Sequence, residues 1–132
     1  MPSQLKMHRF TADAMSEILD TVIRGLKPGL TEREVGWQIE TLAREAGAES
    51  LSFPSIVASG PNSALPHAVP TDRPLKTKEP IILDVGVRLD TYRSDMTRTV
   101  FIGEPEPDLK NIYMTVRKAQ LAALKEIRPG VD

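Results

Sequence analysis

The chain has 132 residues, no cysteine, 17 Lys and Arg, 18 Asp and Glu, and a formal charge of −1. That length makes one domain and excludes a multidomain machine, though not a piece of one, and 40% hydrophobic with 27% charged residues excludes a disordered chain. The balanced charge argues against a nucleic-acid partner, missing cysteine removes disulfides and thiolate sites, and no apolar run suits a membrane span or a signal-peptide core, so a cytoplasmic protein is expected.

Met15, Ile18, Leu19, Val22, Ile23 and Leu26 recur at the three- and four-residue spacing of one helical stripe. Lys27-Pro28-Gly29 ends that helix, because proline cannot continue the ladder. Thr31 and Glu34 have capping-box spacing and start a second helix. Val35, Ile39, Leu42, Ala43 and Ala46 form its expected buried stripe, and Gly47 stops it. From Leu51 to Lys78 five prolines (54, 61, 66, 70 and 74) forbid a helix and favour short strands and turns. Apolar residues at 81, 83, 85, 87 and 89 mark a strand from Ile81 to Leu89. Arg98 to Ile102 reads as another strand, Gly103 to Pro107 as a loop. A third helix runs from Leu109, with Ile112, Val116, Ala119, Ala123 and Ile127 on one face.

The chain's last segment, Ile127-Arg-Pro-Gly-Val-Asp132, repeats the pattern of Leu26-Lys-Pro-Gly-Leu-Thr31. Pro-Gly commonly ends helices, which is one reading. The other is a second copy of the first structural unit, of which only the beginning is present.

Two aspartates interrupt apolar strands. Asp84 lies in Ile81-Ile-Leu-Asp-Val-Gly86, and Asp95 opens Ser94-Asp-Met-Thr-Arg-Thr99. A hairpin tight at Leu89-Asp90 would set Asp84 directly opposite Asp95, about 4.5–5.5 Å apart at Cβ. Like charges so placed destabilise the pair unless a shared proton or a bridging divalent cation offsets the repulsion. The alternative is two turn aspartates that never meet. His67 stands in a proline-stiffened loop between Pro66 and Pro70, which suits an imidazole held to polarise a carbonyl or to donate to an oxyanion. A surface histidine with no role is the plain alternative.

Taken together, His67-Ala-Val-Pro70, Ile82-Leu-Asp-Val-Gly86 and Tyr92-Arg-Ser-Asp-Met-Thr-Arg-Thr-Val-Phe-Ile-Gly103 resemble the first half of the pita-bread metallopeptidase domain. That family includes prolidase, aminopeptidase P, creatinase and methionine aminopeptidase. The Ser-Asp-Met-Thr-Arg-Thr wording is nearer the Xaa-Pro peptidases, while His-Ala-Val-Pro-Thr-Asp-Arg-Pro-Leu keeps some kinship with methionine aminopeptidases. The resemblance implies an α+β fold over residues 1–132: half of a pseudo-symmetric pita-bread, an antiparallel sheet with helices on one face. It implies Asp84 and Asp95 as metal ligands and His67 as the loop histidine near the scissile bond; Thr97, two residues past Asp95 on the same strand face, either approaches that site or is simply a packed residue. The resemblance implies two divalent ions, often Mn or Co, and a peptide substrate containing proline.

One departure is large. The family's other ligands, a His and two Glu, belong to the second half of the domain, and nothing in this sequence replaces them. Two aspartates alone cannot hold a dinuclear site. The expectation is therefore a fragment of a Xaa-Pro dipeptidase or aminopeptidase, inactive by itself, in which no metal need be bound, with an exposed half-fold surface open to a homodimer. A non-catalytic peptide-binding or scaffold module, or a methionine-aminopeptidase-like enzyme, is the alternative.

Overall fold

The computed structural model describes residues 2–131. In chain order it contains helix α1 (Pro2–Gly25), helix α2 (Glu32–Glu45), strands β1 (Ser50–Leu51) and β2 (Ile56–Ser59), and a 3₁₀ turn (Gly60–Ala64). Strands β3 (Pro80–Val85), β4 (Val87–Leu89), β5 (Tyr92–Arg93) and β6 (Met96–Phe101) follow, then helix α3 (Pro107–Glu126). The α+β class with antiparallel pairing is as expected. Among the described residues no helix is long and apolar enough to cross a membrane.

The capping box at Thr31 is present: its hydroxyl accepts from the Glu34 amide, and Glu34 accepts from the Thr31 amide at 2.7 Å. The bonds that the Glu34 carboxyl accepts from the Thr31 amide and, second, from the Thr31 hydroxyl at 3.0 Å hold it below its ordinary range. Met15, Ile18, Leu19 and Val22 of α1 and Val35, Ile39 and Ala43 of α2 are buried together with Val57, Ile81, Leu83, Val85 and Val87. Each of these side chains larger than alanine contributes about 1.5–3 kcal/mol on leaving water. Ala46, expected in the buried stripe, is exposed because it has become the C-cap of α2.

The expected strand from Ile81 to Leu89 is broken at Gly86, and its halves join two three-stranded sheets, ordered β2-β3-β6 and β1-β4-β5. A Cβ on Gly86 would run into the Ser94 carbonyl and meet Ser52 at 3.0 Å, so the close crossing there needs glycine. The hairpin turns at Asp90-Thr91, not at Leu89-Asp90. Both turn residues have positive φ, 45° and 69°, the signature of a two-residue primed turn, and Leu89 pairs with Tyr92. This moves the turn by one residue and slides every cross-strand partner by two. Asp84 therefore faces Thr97 and not Asp95. A slide of two keeps every side chain on its expected face.

Along β3 burial alternates. Ile81, Leu83 and Val85 enter the core under α1 and α2, which leaves Ile82 and Asp84 on the opposite face. Helix α3 has no buried residue. Tyr113 meets Phe101 edge-on, ring centroids 6.1 Å apart, but Ile112, Val116, Leu124 and Ile127 are all more than half exposed. The two Pro-Gly segments share one conformation: each follows a helix, with Gly29 at φ 96° and Gly130 at φ 86°. The capping residue of the second copy, Asp132, lies outside the described residues.

Candidate active site

Asp84 sits on the central strand of its sheet, between Ile56 of β2 and Thr97 of β6. It is half-buried, and the Thr97 hydroxyl donates to its Oδ1 at 2.8 Å. Asp95 lies just before β6, at the break between the sheets, and is exposed. It stands two residues before Thr97, hence diagonal to Asp84 on the same face. His67 occupies the turn that follows the 3₁₀ segment and is exposed, while its neighbour Ala68 is buried and pins the loop.

These three side chains line one open cavity of about 510 Å³. Its apolar walls come from Phe53, Pro54, Ile56, Val69 and Pro70. Ser55 lines it as well, with a buried hydroxyl that has no hydrogen-bond partner among the described residues. The site thus brings an imidazole and two carboxylates to the edge of an apolar trough. It does so through a diagonal relation between the aspartates and not through the direct pairing expected from a turn at Leu89-Asp90.

The second histidine is elsewhere: His8, on α1, packs edge-on against Tyr92 with ring centroids 4.8 Å apart. Among the described residues no group of three or more His, Cys, Asp or Glu could hold a metal ion. Oxygen donors such as Asp84 and Asp95 have the right chemistry for a hard divalent cation, but as part of a ligand set.

One residue escaped the sequence reading. Glu32, in the first turn of α2, is fully buried. Its Oε1 accepts from the Ser59 amide (2.7 Å) and hydroxyl (2.8 Å), its Oε2 from the Thr71 amide (3.0 Å) and hydroxyl (2.6 Å), and both accept from the Asn62 side-chain amide at 3.1 Å. Burial pushes its carboxyl upward, but the bonds from Thr71 and Ser59 outweigh it and hold the group below its ordinary value. The signal in the sequence was slight, since an acidic residue in a first helical turn reads as dipole compensation.

Residues 6–132 match the sequence profile of metallopeptidase family M24. The chain belongs to that family. An uncharacterized peptidase of Staphylococcus aureus strain MW2 is 38% identical over 123 residues, which cover 93% of this chain and 35% of the relative. The X-Pro aminopeptidase of Thermotoga maritima superposes with a TM-score of 0.95 at 32% identity, over 99% of this chain and 37% of that one. The Xaa-Pro dipeptidase of Bacillus anthracis does so with a TM-score of 0.95 at 37% identity and the same coverage. The chain spans about a third of the length of the curated relatives it matches. Its fold is half of the pita-bread fold of those peptidases, and membership of a metallopeptidase family implies divalent metal ions.

Proposed function

We propose that this chain supplies one half of the active site of a dinuclear, metal-dependent Xaa-Pro peptidase, a dipeptidase or aminopeptidase that uses Mn or Co. The observation that carries the reading is the cavity shared by His67, Asp84 and Asp95. The fold match to an X-Pro aminopeptidase and a Xaa-Pro dipeptidase supports it.

Asp84 and Asp95 would contribute carboxylate oxygens to the ions, and Thr97, donating to Asp84 Oδ1, orients that carboxylate. When bound, such ions lower the pKa of a water and polarise the peptide carbonyl. His67, held in its loop, donates a hydrogen bond where negative charge develops on the substrate oxygen. The apolar walls from Phe53, Pro54 and Pro70 would pack against the substrate's proline ring.

Among the described residues no group of three or more His, Asp or Glu side chains could complete a ligand set around Asp84 and Asp95. The chain alone is therefore expected to leave Xaa-Pro peptides intact when Mn is added. Robust cleavage by the purified chain, free of contaminating peptidase, would overturn the half-site reading.

A further inference from the structure

The loop that carries His67 leaves β2 at Ser59 and returns at Thr71, and both ends land on one buried carboxylate. Ser59 donates twice to Oε1 of Glu32, and Thr71 donates twice to Oε2. Asn62, inside the loop's 3₁₀ turn, donates to both oxygens. The backbone reinforces the closure, since the amides of Glu32 and Arg33 donate to the carbonyls of Arg73 and Thr71. Arg73 in turn donates to the Ser59 hydroxyl at 2.8 Å and pairs with Glu79 at 2.7 Å.

We infer that Glu32 is a positioning residue that clasps the two ends of the 60–70 loop and so fixes His67 at the cavity. It does not line the cavity itself. A loop of this length with joined ends is a compact surface loop, and its tip keeps one conformation only while its base stays closed. A carboxylate suits the task because it accepts on two oxygens at once and donates nothing. Glutamine at this position would turn an NH₂ group toward one of the two sets of donors, leaving buried groups unmatched. A neutral side chain could close one end of the loop but not both.

The inference rests on His67 being the histidine that serves the site, yet its test reads the loop and not the reaction. The chain's two histidines provide an internal control, as His8 packs on Tyr92 and not on this loop. Wild-type and Glu32→Gln chains are compared by NMR with carbon-13 in the histidine rings. In the variant the His67 ring signal is expected to move to the position of an unstructured peptide, while that of His8 stays. Exchange of the Ser59 and Thr71 amides should accelerate about ten- to a hundredfold, with the Leu83 amide unchanged. A general loss of stability would move both histidines and all the amides together.

Should Glu32→Gln fail to fold, Thr71→Val and Asn62→Ala, which each remove part of the clasp, are measured in its place. Displacement of His67 alone in any folded variant supports the inference. An unmoved His67 in the folded variants, or equal displacement of His8, overturns it. Loss of the proposed peptidase role of His67 would leave these NMR outcomes as they are, so the two readings fail separately.

Discussion

At the scale of single residues the site depends on what holds its side chains still. Thr97 is the direct cross-strand neighbour of Asp84 and its hydrogen-bond donor. In an assembly that carries the full ligand set, Thr97→Val is expected to weaken metal affinity or turnover by about ten- to a hundredfold. Metal titration of the variant checks this, and unchanged affinity together with unchanged turnover would remove Thr97 from the site. Glu32 adds a pH dependence. Its folded carboxyl lies below the ordinary value of 4.5, so its stabilisation is complete above that value and is lost as pH falls through the lower, folded one. Glu34 is shifted in the same direction, so part of the slope survives without Glu32. Urea unfolding between pH 7 and pH 3 should show the wild-type chain losing stability more steeply below about pH 4.5 than Glu32→Gln. Parallel curves would contradict the lowered carboxyl.

At the scale of elements the hairpin from β3 to β6 decides the geometry. Gly86 lets the chain cross beside Ser52 and the Ser94 carbonyl, and the sheet divides there. Gly86→Ala is expected to destabilise the fold by about 2–3 kcal/mol, because the added methyl must displace backbone. Thr91 stands at φ 69°, a conformation that costs a β-branched residue about 1 kcal/mol. Thr91→Gly should recover part of that, and denaturant midpoints for both variants check the opposite signs.

This hairpin also shows what the sequence could and could not reveal. The helix start at Thr31 was legible because a capping box needs only two residues at a fixed spacing. The strand faces were legible because alternation survives a slide of two residues. The pairing of Asp84 was not, because it depends on where the turn falls. Asp90-Thr91 lacks the glycine that usually marks a primed turn. Glu32 was hidden for another reason: its partners Ser59, Asn62 and Thr71 lie 27 to 39 residues away, and local pattern carries nothing of that distance.

At the scale of the whole molecule the unusual feature is α3. Its apolar side chains satisfy a helical stripe, yet Ile112 is 61%, Val116 63% and Leu124 56% exposed. Unburied apolar surface of this kind drives association. We propose that a second copy of this chain covers it, as a two-fold dimer. Sedimentation at micromolar concentration is expected to show a dimer or a larger species, and a stable monomer would contradict that expectation.

The central claim, that this chain brings His67, Asp84 and Asp95 to a Xaa-Pro peptidase, is tested most directly by exchange. The matching segment of the Bacillus anthracis Xaa-Pro dipeptidase, 37% of that chain, is replaced by these 132 residues, and hydrolysis of a Xaa-Pro dipeptide is followed with added Mn. The account expects an active chimera. Asp84→Asn or Asp95→Asn should abolish its turnover, and His67→Ala should lower kcat by about a hundred- to a thousandfold. A folded chimera without activity, or one that hydrolyses the dipeptide equally well without Asp84 and Asp95, would contradict the account.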